Sequence, residues 1–351
     1  MTLKIFLTGV TGYVGGDAFY TLYEKHPEYD YSLLVRTEER AGVVRKAYPN
    51  VRIVIGSNSD SEVLEKEAAA ADVVIHTADS ADDVPSAQAI TKGLANGHSA
   101  EKPGYYIHLS GTGILIWYDQ VNERYGEAPL PEQEYHDIRD ISRLLSLPDD
   151  AVHRNVEKVV LAANSSSPAV RTAILLPPTI YGTGRGPQNR RSIQIPALAR
   201  ATLEKGFAPV VAPGQTEWDN IHVHDLSNFF TRLVEATQDA KLNSDQEVFG
   251  AHGYFILESG THKWADVAAW IAEEAHAQGF LPAPLTKEVT MKEVLHSGPV
   301  AGSWALNSKG RTERAKKYFG FETKAKSVKE EIPELIKREA TILHLQPHEK
   351  H

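Results

Sequence analysis

An α/β fold, with a parallel sheet covered by helices on both faces, is predicted by three observations. Short apolar runs bounded by turn residues recur through the first half of the chain: KIFLTG, YSLLVR at 31–36, VRIVIG at 51–56 and DVVIHTA at 72–78. Stretches with helical character separate them, at 38–48 and 60–70. The first run leads directly into a glycine-rich loop, TGVTGYVGG at 8–16. Strands that alternate with helices favour a parallel sheet with right-handed crossovers.

Gly9, Gly12 and Gly15 form GxxGxxG between the first strand and a helix expected over Ala18–Lys25, ending near Pro27. The first glycine permits a tight turn, the second lets backbone approach a pyrophosphate, and the third lets helix and strand pack closely. The amides at a helix N-terminus favour phosphate. In this context the loop predicts a Rossmann-type dinucleotide-binding domain. The second strand ends in Arg36, where an NAD site often has a carboxylate for the ribose. Arginine pairs with phosphate through a planar fork, so Arg36 predicts NADP, with NAD as the alternative. An ion pair of Arg36 with Glu38 or Glu39 is the competing structural explanation.

YYIHLSG at 105–111 and VRTAILLPP at 170–178 complete the strand series. A long helix is expected over 148–164, with Asp149 or Asp150 as its cap. The second half is less regular. A polar, glycine-rich insertion, PPTIYGTGRGPQNRRSIQIP, precedes a helical pattern at 221–236, a strand at 254–260, and an amphipathic helix capped by Thr261. The chain from Lys326 to Leu343 looks helical. These elements suggest a dinucleotide domain over 1–178, a smaller substrate-side domain over 179–345 with 219–240 returning to the first, and a polar tail at 346–351.

The 351 residues are 42% hydrophobic, enough for a sizeable core. A net charge of -9 without long basic runs argues against nucleic-acid or anionic-membrane partners. The absence of cysteine excludes thiol nucleophiles and disulfides. No apolar run reaches the roughly 18 residues of a membrane span. A cytoplasmic protein with a small-molecule substrate is expected, and assembly as a homodimer is left open.

Several marks occur in one order: TGVTGYVGG, HTAD at 76–79, HLSGTG at 108–113, Lys158, PPTIYG at 177–182 and HVHDL at 222–226. From Leu3 to about Phe321 the chain resembles the extended short-chain dehydrogenase/reductases of the NAD-dependent epimerase/dehydratase type. The resemblance implies a dinucleotide on the N-terminal domain and substrate in a cleft against a smaller C-terminal one. Many such proteins act on nucleotide sugars, and relatives reduce ketones or aldehydes. It also implies cofactor contacts from Gly9, Thr11, Gly12, Tyr13, Val14, Gly15, Asp60, Ala78, Asp79, Pro178 and Thr179. Ser110 would bond the reacting oxygen, and Lys158 would hold the nicotinamide ribose.

One departure bears on chemistry. The family pattern is Tyr-x-x-x-Lys, yet Arg154 stands four residues before Lys158. A guanidinium stays protonated and cannot exchange a proton as a phenol does. It can still orient an oxyanion or carboxylate. His153 is the alternative acid–base group, since imidazoles titrate near neutrality. On an ideal helix it would be turned about 100° from position 154. Ser110, His153, Arg154 and Lys158 are therefore the catalytic candidates. Thr112, Tyr181, Asn189, Arg191, Gln194 and Trp218 are the substrate-side candidates. His222 and His224 lack a third ligand at a defined spacing, so no metal is expected. The leading expectation is an NADP-dependent oxidoreductase acting on a carbonyl or alcohol. The alternatives are a redox-neutral epimerase, isomerase or lyase, and a non-catalytic NADP-binding sensor.

Overall fold

β1 (Lys4–Thr8) is apolar on both sides because helices cover both, and Ile5, Phe6 and Leu7 are fully buried. The computed structural model describes residues 2–347, so the tail expected at 346–351 lies outside the described residues from 348 onward. β2 (Asp30–Val35), β3 (Arg52–Ile55), β4 (Val73–His76) and β5 (Gly104–Leu109) follow. After the short β6 (Glu134–His136) comes β7 (Val170–Leu176). The remaining strands are β8 (Thr179–Tyr181), β9 (Ala208–Val211), β10 (Glu217–His222), β11 (Tyr254–Ile256), β12 (Gly260–Lys263), β13 (Thr286–Val289) and β14 (Lys309–Arg311).

Seven parallel strands form the main sheet in the order β11-β7-β5-β4-β1-β2-β3. The chain winds outward through β2 and β3 on one side of β1, and through β4, β5, β7 and β11 on the other. This is the Rossmann-type sheet the sequence predicts. Its switch point between β1 and β4 opens a crevice at the carboxyl ends of the strands, where such folds bind ligands.

The small sheet β14-β6 pairs a strand from each half of the chain, while β12-β10-β8 and β13-β9 build the C-terminal part. Its own core contains Ile195, Leu198, Trp218, Trp264, Ile271, Trp304 and Ile336. The helix Val223–Ala236 instead packs on the helix Tyr13–Lys25 and buries Phe229, Phe230 and Leu233 in the core under the main sheet. Among the described residues, no helix is long and apolar enough to cross a membrane.

Several boundaries differ from expectation. The first helix begins at Tyr13 rather than Ala18, so Gly15 and Gly16 lie inside it. Residues 84–97 form an additional helix, capped by Asp83 and packed on the helix Ser61–Ala70. Thr261 lies in β12, and the following helix starts at Trp264. The expected helix over 148–164 starts only at Arg154. Ahead of it, tight turns join Pro148 to Ala151 and Ala151 to Arg154. His153 closes these turns in the left-handed region, φ 69°. Residues 148–153 therefore lie outside the helix, and His153 is aimed by its left-handed backbone rather than by helical phase.

Candidate active site

A cavity of about 570 Å³ occupies the switch-point crevice. Gly9, Thr11 and Gly12 line it after β1, Leu34 and Arg36 at the end of β2, Arg40 from the helix Glu38–Ala47, Gly56–Ser59 after β3, and Thr77–Asp79 after β4. The glycine loop fits a closely approaching pyrophosphate. Gly9 has φ 88°, where other residues are strained. A Cβ on Gly15 would stand 2.2 Å from Thr77 Oγ1 and 2.4 Å from the Gly9 carbonyl oxygen. Tyr13 turns away and donates to the Gly182 carbonyl at 2.7 Å, and burial holds its phenol well above the ordinary range. Val14 is half-buried against the main core.

Arg36 lines the cavity and takes part in no ion pair among the described residues, while Glu38 pairs with Arg45 at 2.9 Å. Asp60 does not line the cavity. Its carboxylate accepts from Ser57 N at 2.6 Å and Ser57 Oγ at 2.9 Å, folding the turn after β3. Ser57, Asn58 and Ser59 present themselves instead. Asn58 also donates to the Ala78 carbonyl, tying two cavity walls together. Sequence reading missed these three polar residues. Their position directly after a strand end was the available signal.

Ser110 follows the end of β5, the strand beside β4; it is buried and does not itself line the cavity. Its amide donates to Leu175 O, and Thr112 N donates to Pro177 O, which fixes this turn on β7. Ser110 Oγ donates to Glu157 Oε1 at 2.5 Å. Glu157 is fully buried, and its other oxygen accepts from Tyr254 OH at 2.6 Å. Burial raises the Glu157 carboxyl above its ordinary range, against the lowering effect of these hydroxyls.

The late helix start separates the other catalytic candidates. His153 Nδ1 lies 2.7 Å from Asp82 Oδ1, on the segment following β4. The opposite edge of the ring, Nε2, lies against Gly113: a Cβ there would be 3.0 Å away. The His153 hydrogen bond and charge hold the Asp82 carboxyl below its ordinary range. Arg154 is buried and donates to the Leu145 carbonyl, directed away from the cavity. Lys158 pairs with Asp149 at 2.8 Å on the outer surface. Lys158 is not among the residues that line the cavity.

The substrate-side candidates are dispersed. Asn189 lines the cavity, and its backbone N–H donates to Thr11 O at 3.2 Å. Arg191 makes a bidentate pair with the fully buried Glu339, at 2.7 and 2.9 Å. Gln194 donates to Ser303 Oγ at 3.1 Å. Trp218 Nε1 donates to Leu306 O, and Tyr181 OH to Lys326 O, both at 2.7 Å. Thr112 Oγ1 accepts from Ser308 Oγ at 2.8 Å. Pro178 and Thr179 are buried where β8 begins, and Thr179 Oγ1 has no hydrogen-bond partner. His222 Nδ1 accepts from His224 N, and His224 Nε2 lies 3.0 Å from Thr183 O.

Residues 150–246 match the model of the NAD dependent epimerase/dehydratase family. The chain is 35% identical to the protein named Oxidase ucsJ of an Acremonium species, over 98% of this chain and 100% of that one. Similar solved structures include a double mutant of the dTDP-glucose 4,6-dehydratase DesIV of Streptomyces venezuelae with NAD bound. It is 14% identical, with a TM-score of 0.66 and 97% of each chain covered. Another is the UDP-glucuronic acid 4-epimerase of Bacillus cereus with UDP-glucuronic acid and NAD. It is also 14% identical, with a TM-score of 0.62 over 96% of this chain and 99% of that one.

These NAD-bound dehydratases and epimerases overturn two expectations, the NADP preference and the NADP-dependent oxidoreductase. The weak step was Arg36. A guanidinium at a cavity edge also stacks on flat rings and donates to hydroxyls, so it does not by itself call for a phosphate. With a relative of this identity along nearly its whole length and the family's sheet and glycine loop in place, the chain belongs to the NAD-dependent epimerase/dehydratase family.

Proposed function

We propose that the protein binds NAD and converts a small hydroxyl-bearing molecule without net oxidation or reduction, by epimerisation, isomerisation or elimination. Bound NAD supplies the acceptance and return of a hydride. The observation carrying this reading is His153, fastened to Asp82 through Nδ1 beside the Gly111–Gly113 turn. On this reading His153 replaces the family's tyrosine as a proton-exchanging group. An acid–base side chain needs an orienting partner and an open second atom, and the Asp82 bond supplies the first. Ser110 hydrogen-bonds the substrate oxygen. Gly9, Thr11, Gly12 and Asn189, the last from the 182–191 loop, hold the dinucleotide. Nucleotide sugars are the substrate class tested first. The reading further takes the protein to be cytoplasmic and without a nucleic-acid partner.

The test is calorimetric titration with NAD+ and NADP+, followed by incubation of the NAD+-loaded protein with UDP-glucose and dTDP-glucose and a broader panel of sugar nucleotides. Binding of NAD+ and product formation without accumulated NADH are expected. Stoichiometric NADH would instead assign net oxidation, the activity in the name of the Acremonium relative. Absence of NAD+ binding would overturn the proposal.

A further inference from the structure

Glu157 is a carboxylate with no packing reason to be a carboxylate. It stands on the inner stripe of the helix Arg154–Ser166, among Val156, Val160 and Ala163, and is fully buried. Isolating a charge there is costly unless it is hydrogen-bonded. Its partners are both hydroxyls, Ser110 Oγ at 2.5 Å and Tyr254 OH at 2.6 Å, from two different strands. No basic side chain hydrogen-bonds or ion-pairs with it among the described residues. An ionised Glu157 only accepts, so both hydroxyls must donate to it. Ser110 then meets a substrate oxygen with lone pairs alone. That suits an alcohol, which offers a proton, and not a carbonyl, which needs one.

We propose that Glu157 is the terminus of a proton relay that starts at the substrate oxygen and passes through Ser110. This rests on the NAD-linked reading above. The substrate O–H bond breaks and its proton bonds to Ser110 Oγ. The former Ser110 proton moves to Glu157 Oε1, leaving a neutral carboxyl. The electron pair left on the substrate oxygen would close the carbonyl, the hydride acceptor being what bound NAD+ would supply. Reversal of each transfer returns the alcohol, so the protein lends one acceptor site and recovers it. Ser110 has by then become a donor, matched to the carbonyl. His153 is left for proton exchange at a second atom, which elimination or isomerisation requires.

Other groups around Glu157 fit this role. Tyr254 donates throughout and keeps the carboxyl in place. His153 and Arg154, at the start of its own helix, contribute positive potential that favours the ionised form, while burial favours the neutral one. Burial and these charges act on the carboxyl in opposite senses, so its state responds to charge brought near it. The oxidised nicotinamide ring carries a positive charge that the reduced ring lacks, and on this proposal that difference shifts the proton on Glu157.

The test is infrared difference spectroscopy of the full chain, comparing NAD+ and NADH complexes across the neutral pH range. A protonated carboxyl band is expected in the NADH complex that is absent with NAD+. It should disappear in Glu157→Gln and change frequency in Ser110→Ala. Should Glu157→Gln not fold, isotope-labelled glutamate together with Ser110→Ala makes the same assignment. Equal protonation of Glu157 in the two complexes overturns the relay while leaving the NAD-linked reading intact. Failure of both dinucleotides to bind, measured by calorimetry on the same samples, overturns both.

Discussion

His153 Nδ1 is 2.7 Å from Asp82 Oδ1, joining the residue before one helix to the segment after β4. This pair should govern proton exchange. His153→Ala should lower single-turnover rates by on the order of 10²–10⁴, the usual value of a positioned acid–base group. Asp82→Asn should cost less and alter the pH–rate profile, because it keeps a partner at Nδ1 but removes the charge. NAD+ affinity, measured in parallel, should stay largely unchanged in both. An unaltered rate and pH profile in His153→Ala would reject the role.

Lys158 is expected to be dispensable. Its side chain is half-exposed and meets only Asp149, itself at the surface. Exposed pairs contribute little to stability. Lys158→Ala should leave Tm and NAD+ affinity unchanged within error. A marked loss of affinity would return Lys158 to the cofactor site.

The contrast between these two residues shows what the sequence could convey. The strand series, the glycine loop and the order of motifs were legible because each depends on local pattern: apolar runs, turn residues and spacing. The start of the helix at Arg154 was not. Pro148, Asp149 and Asp150 have the chemistry of a helix start, yet the turns through Ala151 delay it to His153. Residues 148–153, His153 among them, thereby leave the helical phase on which their direction was read. Ser110 was visible as a strand-end residue. Its partner Glu157 was not, because 47 positions separate them and only the packing of the helix on the sheet joins them. A charge inside an apolar helical stripe was the available signal.

Gly15→Ala tests the cradle. The added methyl would collide with Thr77 Oγ1 and with the Gly9 carbonyl, which is backbone and cannot swing aside. Overpacking of this kind costs about 1–3 kcal/mol. The larger effect should fall on the cavity, because both contacts belong to its wall. Calorimetry should show NAD+ binding strongly reduced with the fold retained by circular dichroism. Wild-type affinity in Gly15→Ala would place the dinucleotide elsewhere.

Arg191 and Glu339 connect the helix Val328–Ile342 to the cavity rim. Arg191 N donates to Asn189 Oδ1 at 3.0 Å, and Asn189 lines the cavity. Glu339 is fully buried, so Arg191→Met leaves a buried carboxylate without its cation. Such breaks cost about 3–5 kcal/mol, and the lower end applies because about a third of the Arg191 side chain reaches solvent. Urea unfolding should show that loss, together with weaker NAD+ binding. Pairing Arg191→Met with Glu339→Leu should recover much of the stability by removing the stranded charge.

His76 sets an acid limit on stability. Its ring is fully buried, with Nδ1 2.7 Å from Thr8 Oγ1 and Nε2 3.0 Å from Ser86 Oγ. Burial pushes it down to about 4 from 6.5, only partly opposed by Asp83. The unfolded chain protonates this histidine near 6.5, whereas the folded protein does so only near 4. Between those values the unfolded state binds more protons, so stability falls as pH drops through the window. The contribution is complete above the upper value and levels off below the lower one. It amounts to on the order of 3 kcal/mol. His76→Gln retains a side chain able to meet the two hydroxyls but cannot titrate. It should be less stable than the native protein at neutral pH, where the imidazole packs best, and should lose less stability on acidification. Urea midpoints across the window would show the two curves converging. Parallel curves would mean that His76 does not titrate in that range and that carboxylates alone set the acid limb.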